Sequence, residues 1–400
     1  MLKMTQWTMQ MAYPGRDVQV HAQDDCIQAS FYDRRYSVVK LLREVEGVRG
    51  GYYYRVSFQS SSANVNGYMY YICRDAKGKE LSKGYLHNGD RFVSPANAAQ
   101  LAVEVLLTAK GTGSFQLTDL KLTEEEAYQP RNVKICTIGY ELLNRELVTV
   151  PFEENVALTL REIDEVAHLN PDVIVLTENA FQTSEQIGPS GKSTANRLDD
   201  PHVQALCAKA KEYNCYIVTS LKTLDEDDVL HNTSILIDRN GKIQGTSHKT
   251  HLTIGEKEGG MELGTEFPVF ETDFGKVGML VCWEHFFPEA VRILTMKGAE
   301  LILVPTHGFR LDRAATRALE NGVYFVTAHV RGSDSVILDP DGQVIADGTE
   351  KGYAFAQIDL NKKAAVPYLS CSSWADPHNI YLNERRPSLY GVLSGTDNTI

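Results

Sequence analysis

Three polar residues stand where apolar runs stop. Glu178 closes the run in Asp172–Phe181 (DVIVLTENAF), Lys249 follows a hairpin signal in Ser247–Leu252 (SHKTHL), and Cys282 ends the run in Lys276–Glu289 (KVGMLVCWEHFFPE). A thiol, a carboxylate and an ammonium are the parts of nucleophilic acyl chemistry. A lone thiol near neutral pH is mostly protonated and needs activation. Cys282 is followed by a loop and then by Pro288, a good first helical residue. A helix N-terminus and a lysine nearby would both favour thiolate. A carboxylate partly removed from water, as expected for Glu178, has a raised pKa and can take the thiol proton. Lys249 could balance a developing oxyanion, helped by the backbone N–H of Trp283. Each residue alone has a plainer reading: a core cysteine, a strand-end surface acid, a solvated lysine. Only the joint occurrence points to catalysis.

Glu284, His285 and His307 are candidates for lining a substrate pocket, although residues beside the nucleophile often serve packing. His248 and His251 form an H-x-x-H pair. The segment follows a strand rather than lying on a helix, and spacing offers no third ligand, so no metal is expected. The seven cysteines, Cys26, Cys73, Cys136, Cys207, Cys215, Cys282 and Cys371, never fall at C-x-x-C spacing. Neither a disulfide framework nor a zinc site is expected, and a reduced, cytoplasmic protein without cofactor follows.

The elements that must position these residues change character along the chain. Gly51–Gln59, Tyr68–Arg74, Leu101–Thr108 and Ser114–Leu122 read as strands, with a turn at Asp75–Gly78 and a gap at Gly111–Gly113. Short strands at this rhythm predict an all-β sandwich. The charged Thr123–Arg131 reads as a linker. From Asn132 onward, apolar strands alternate with helices. Strands are predicted at Val133–Gly139, Val173–Leu176, Cys215–Ser220, Val277–Val281, Leu301–Val304, Tyr324–Ala328 and Val336–Leu338. Helices are predicted at Asn155–Leu169, His202–Tyr213, Pro288–Lys297 and Arg313–Asn321. Asn240–Gly241 between Ser234–Asp238 and Lys242–Thr246 is a hairpin signal. This alternation predicts a layered α/β domain. Gln182–Pro201, polar and Gly/Ser-rich, is expected to be a loop at the rim of the site.

In these motifs and their order the chain resembles the nitrilase, or carbon–nitrogen hydrolase, superfamily. The resemblance runs from Asn132 to the C-terminus and includes Ala299–Pro305 (AELILVP), Arg317–Asn321 (RALEN), Asp339–Gly342 (DPDG) and Arg385–Tyr390 (RRPSLY). It implies a Glu178–Lys249–Cys282 triad without cofactor, on an α-β-β-α sandwich over residues 131–400, preceded by a jelly-roll-like all-β domain over 1–130. It also implies a second glutamate in Gly255–Gly264 (GEKEGGMELG). Glu258 matches the family spacing, and Glu256 is the competitor. Substrates implied are small amides or N-carbamoyl compounds. The Cys-Trp-Glu triplet keeps nitriles open, and an inactive binding or assembly protein is the reading of a different class. His285, Phe286 and Phe287 stand where some members carry an arginine for a substrate carboxylate. Arg292, Arg310 and Arg313 are further candidates.

The N-terminal domain is weakly similar to carbohydrate-binding modules. Tyr52, Tyr53, Tyr54, Tyr68, Tyr70 and Tyr71 could stack on sugars, and alternation lets only some share a face. A packing role is the competing expectation. The formal net charge of -12 excludes nucleic acid and anionic membrane surfaces as natural partners. No apolar run reaches the length of a membrane span, and Met1–Asp25 lacks the pattern of a signal peptide. A homodimer or larger homo-oligomer is expected from the resemblance, from the apolar surface of Pro288–Lys297, and from the tail Asn379–Leu393.

Overall fold

Every second side chain of Tyr36–Val45 is buried, the signature of a strand with one face on a core. The computed structural model describes residues 2–13, 17–32, 35–143, 151–181, 195–362, 366–368, 373–375, 382 and 384–395. The expected rim loop lies outside the described residues over 182–194, as do Cys371 and part of the 379–393 tail. Two units divide the chain: Met1–Gln129 with Ala365–Ile400, and Pro130–Ala364. The expected boundary near residue 130 therefore has a counterpart near 365. The reason is a hairpin, Val366–Tyr368 with Ser373–Ala375, which joins the first unit's sheet beside Glu80–Tyr85.

The first unit is a mostly antiparallel sheet of ten described strands. Four expected strands are two long ones, Tyr52–Arg74 and Gln100–Ala127. The register shifts between Ala63 and Val65, and Asn64 and Gly111 take positive φ, so the ladder bends where a break was expected. The expected linker is also largely strand, to Ala127. Its acids are neutralised across the sheet: Arg49 pairs with Glu124, and Arg55 and Arg91 pair with Glu125 at 2.6 and 2.7 Å. Ile27, Phe31, Leu41, Tyr54, Leu101, Leu107 and Leu117 belong to one core. The tyrosines spend their faces on neighbours. Arg91 lies 3.6 Å over Tyr53, Arg49 lies 3.9 Å over Tyr52, Lys83 lies 4.7 Å over Tyr70, and Tyr71 stacks on Phe92.

The second unit holds two six-stranded sheets. The first runs Ile243–His248, Leu230–Ile237, Tyr216–Leu224, Val173–Val175, Asn132–Ile138, Tyr353–Asp359; the second runs Val269–Glu271, Lys276–Met279, Leu301–Thr306, Tyr324–His329, Val336–Leu338, Val344–Asp347. Val133, Ile135, Val218 and Leu236 meet Val277, Met279, Leu301 and Val326 in the core between the sheets. Helices α1 (Phe152–Val166) and α2 (Pro201–Glu212) cover the first sheet through Val156, Ile163, Val203 and Leu206. A short α3 (Ile254–Glu258) follows Lys249. Helices α4 (Pro288–Met296) and α5 (Leu311–Asn321) cover the second sheet through Val291, Leu294, Ala314 and Ala318. The layers are α-β-β-α, and the central strands are apolar on both faces because both are covered. Each fully buried aliphatic side chain contributes roughly 1.5–3 kcal/mol. No described helix is long and apolar enough to cross a membrane.

Candidate active site

Parallel strands leave their last residues at one edge, where backbone turns and side chains are free to converge. Glu178 lies just beyond Val173–Val175, Cys282 just beyond Lys276–Met279, and His307 directly follows Leu301–Thr306. Cys282 has φ +47°, a left-handed conformation unusual for a residue with a side chain and a mark of stored strain.

Glu178, Lys249 and Cys282 are brought together. Lys249 is 1% exposed, and its Nζ donates to Glu178 Oε1 at 3.0 Å and to Glu256 Oε1 at 2.8 Å. Glu178, Lys249, Thr306 and the His307 N–H are the polar groups that act on the Cys282 thiol. The His307 N–H also donates to Glu178 Oε2 at 3.0 Å, and its ring Nε2 lies 2.8 Å from the Glu178 carbonyl oxygen. His307 therefore holds Glu178 in place.

The second glutamate of this cluster is Glu256. Glu258 is exposed, two residues further along α3 and so on the side of the helix opposite Glu256. Thr253 caps α3, and Glu256 closes a capping box: its Oε2 accepts from Thr253 N at 2.8 Å and from Thr253 Oγ1 at 2.9 Å. That fixes the carboxylate so that Oε1 meets Lys249. Asn232 was not foreseen. Its Nδ2 donates to Glu178 Oε1 at 2.9 Å and to Glu256 Oε1 at 2.8 Å. An asparagine in the middle of a strand, where this residue type is disfavoured, was the available signal. Gly264 donates to the Lys249 carbonyl at 2.9 Å, and a Cβ there would stand 2.0 Å from the His248 carbonyl oxygen.

Glu284 and His285 brace the turn that carries Cys282. Glu284 accepts from Val281 N at 2.7 Å, Thr250 N at 2.8 Å and Thr250 Oγ1 at 2.6 Å. Both carboxylate oxygens are thus engaged, and the residue ties the cysteine turn to the segment after Lys249 rather than lining a pocket. Burial raises its pKa against these donors. His285 Nδ1 lies 2.5 Å from the Cys282 carbonyl oxygen, and burial lowers this imidazole to about 4, so it is neutral. Its Nε2 is buried and has no partner among the described residues. Trp283 is 40% exposed, with its ring against Phe286 and Phe287.

The electrostatics differ in sign from the sequence expectation. Burial alone would raise Glu178, but the charge of Lys249, His307 and the donors around the carboxylate outweigh it and hold the carboxyl well below its usual range. Burial, together with the Glu178 charge, pushes the Cys282 thiol up to about 11, against the pull of Lys249. The resting pair is a carboxylate and a thiol, not a preformed thiolate. His248 and His251 do not join a ligand set: His248 stacks on His231 and His251 on Phe287. Among the described residues no group of His, Cys, Asp or Glu is arranged to hold a metal ion.

The carbon-nitrogen hydrolase family model matches residues 135–368. The chain belongs to the carbon–nitrogen hydrolase family. A nitrilase of Pyrococcus abyssi is 33% identical over 230 residues, 53% of this chain and 79% of its own. The N-carbamoylputrescine amidase of Arabidopsis thaliana is 27% identical over 288 residues, 62% of this chain and 92% of its own. Among solved structures, a carbon–nitrogen hydrolase from Helicobacter pylori shares the fold with TM-score 0.56 and 18% identity, covering 66% of this chain and 98% of that one. The protein is thus a carbon–nitrogen hydrolase with an additional all-β unit.

Proposed function

We propose that this hydrolase cleaves the C–N bond of a small amide or N-carbamoyl compound through a thioester on Cys282. The observation that carries the reading is the buried, hydrogen-bonded group of Glu178, Lys249 and Glu256 with the partly exposed Cys282 beside it. As Cys282 Sγ attacks the carbonyl carbon, its proton passes to Glu178. Because the thiol lies so far above the carboxyl in acidity scale, transfer and attack are coupled, and the substrate carbonyl must be polarised at the same moment. Lys249 and the Trp283 N–H face the oxyanion in this scheme; one such donor is worth about 3–4 kcal/mol. The C–N bond then breaks, with the Glu178 proton going to nitrogen. Water adds to the thioester, gives its proton to Glu178, and the proton returns to sulfur as the acid leaves. Glu256, held by its capping box, keeps Lys249 aimed.

The N-carbamoylputrescine amidase relative favours amide and ureido substrates, and the Pyrococcus relative named a nitrilase keeps a nitrile, attacked through a thioimidate, as the second reading. A panel of amides, ureido compounds and nitriles, with mass spectrometry of the Cys282 peptide, tests both. An acyl adduct on Cys282 during turnover is expected. Turnover with adducts elsewhere, or undiminished in Cys282→Ala, would overturn the mechanism. Exposed Ile293 and Met296 on α4 and Leu311 and Leu319 on α5 support a homo-oligomer, which light scattering would test.

A further inference from the structure

Lys222 is a buried cation that the reaction as written does not use. It lies on strand Tyr216–Leu224 and is 0% exposed. Its cross-strand partner is Asn232, the residue whose amide bridges Glu178 and Glu256. Directly paired residues direct their side chains to the same face of a sheet. Lys222 is therefore on the face that carries the cluster.

The charges of that cluster do not balance without it. Glu178 and Glu256 are two carboxylates, and Lys249 is one ammonium bonded to both. An uncompensated negative charge in a buried site holds a nearby thiol in its protonated form. A second ammonium on the same face cancels that charge. We infer that Lys222 is a positioning residue of the active site, whose ammonium neutralises the Glu178–Lys249–Glu256 cluster and so sets how readily Cys282 gives up its proton. The inference rests on the catalytic roles proposed above.

Burial pulls the Lys222 ammonium down to about 8, and the Glu256 carboxylate is the charge that supports its protonated form. The cluster then loses its balance on mild alkalinisation. Among the described residues, Glu256 from α3, Glu178 from the turn after Val173–Val175 and Lys249 after Ile243–His248 are the charged groups of the cluster on its face, whereas His231 and His248, in register with Thr223 and Thr233, share the opposite face. An arginine at position 222 stays charged throughout this range, so it removes an alkaline break only if Lys222 is the source.

The test uses the full chain and iodoacetamide, following Cys282 alkylation by peptide mass from about pH 6 to about pH 10, below the thiol's own titration. At neutral pH, Lys222→Met should alkylate about tenfold more slowly than wild type, the effect of a one-unit rise in the thiol pKa. Lys222→Arg should stay within about threefold of wild type. The wild-type profile itself should follow that of Lys222→Arg at low pH and bend toward that of Lys222→Met above about pH 8, a readout that needs no methionine variant to fold. A wild-type profile parallel to Lys222→Arg throughout, or Lys222→Met reacting as wild type, overturns the inference. Lys249→Met serves as the control. If it slows alkylation while Lys222→Met does not, only the role of Lys222 falls. If Lys249→Met also reacts as wild type, the cluster has no hold on Cys282 and the catalytic reading falls with it.

Discussion

Each unit of the molecule buries a small set of carboxylates and ammonium groups, with opposite arithmetic. In the first unit one carboxylate, Glu104, lies between two ammonium groups, 2.7 Å from Lys40 and 2.8 Å from Lys83. In the second, one ammonium, Lys249, lies between two carboxylates. The Glu104 group ties Gln100–Ala127 to the neighbouring Tyr36–Val45 and, across the intervening Tyr52–Arg74, to Glu80–Tyr85. The Lys249 group has a cysteine in a left-handed backbone conformation beside it. A buried ion cluster is therefore not a site by itself. What distinguishes the second is a thiol placed beside a carboxylate that, in the proposed mechanism, takes its proton.

The comparison breaks most sharply at Cys282 and Glu178. Cys282→Ala and Glu178→Gln should each lower turnover about a thousandfold or more while the folded state persists. Turnover and thermal melting, measured side by side, check this; activity near wild type in either variant would erase the distinction between the two clusters. Glu256→Gln comes next. Loss of the charge that aims Lys249 should cost about a hundredfold in kcat/KM, the scale of one misplaced oxyanion donor. The same change at Glu258 is a surface substitution and should leave kcat/KM within about twofold. Equal effects of the two would place the second glutamate wrongly.

The first unit should answer in stability instead. Glu104→Gln should destabilise by about 2 kcal/mol, discounted from a fully buried pair because Lys40 is partly exposed. Burial raises the Glu104 carboxyl, but its bonds to Lys40 and Lys83 more than reverse this, leaving it below the usual value. Its stabilisation is therefore complete above the unfolded carboxylate pKa of about 4.3 and is lost as pH falls through the lower folded value. The gap between wild type and variant in urea unfolding should narrow on acidification, with Cys282 alkylation unchanged at neutral pH. The smallest expected effect is that of a chelator. Exhaustive dialysis should leave the rate within about a fifth of its starting value, since the proposed Cys282 chemistry requires no Lewis acid. A rate that collapses and returns with zinc would reopen the metal reading.

Much of this arrangement was legible in the sequence. Strand ends were readable because Val173–Val175 and Lys276–Met279 are apolar on both faces and stop abruptly, which exposed Glu178 and Cys282 as exceptions. Glu256 could have been chosen over Glu258 from Thr253-Ile-Gly-Glu256, a capping-box spacing that fixes a carboxylate at a helix start. Asn232 was hidden because both partners are distant in sequence, and a single strand gives no hint of what lies across its end. The acids of 123–131 looked like a linker because the arginines that neutralise them lie on other strands. The signs of the Glu178 and Cys282 shifts were missed for a related reason. Burial can be guessed from an apolar run, but the sum of neighbouring charges cannot.

The resting thiol has a consequence for survival as well as for turnover. Peroxides, disulfides and metals react with thiolates, so a cysteine raised to about 11 is a poor target for all of them at neutral pH. In the proposed mechanism the sulfur keeps its proton until Glu178 takes it during attack on the substrate, so the expected rate of oxidation between turnovers is low.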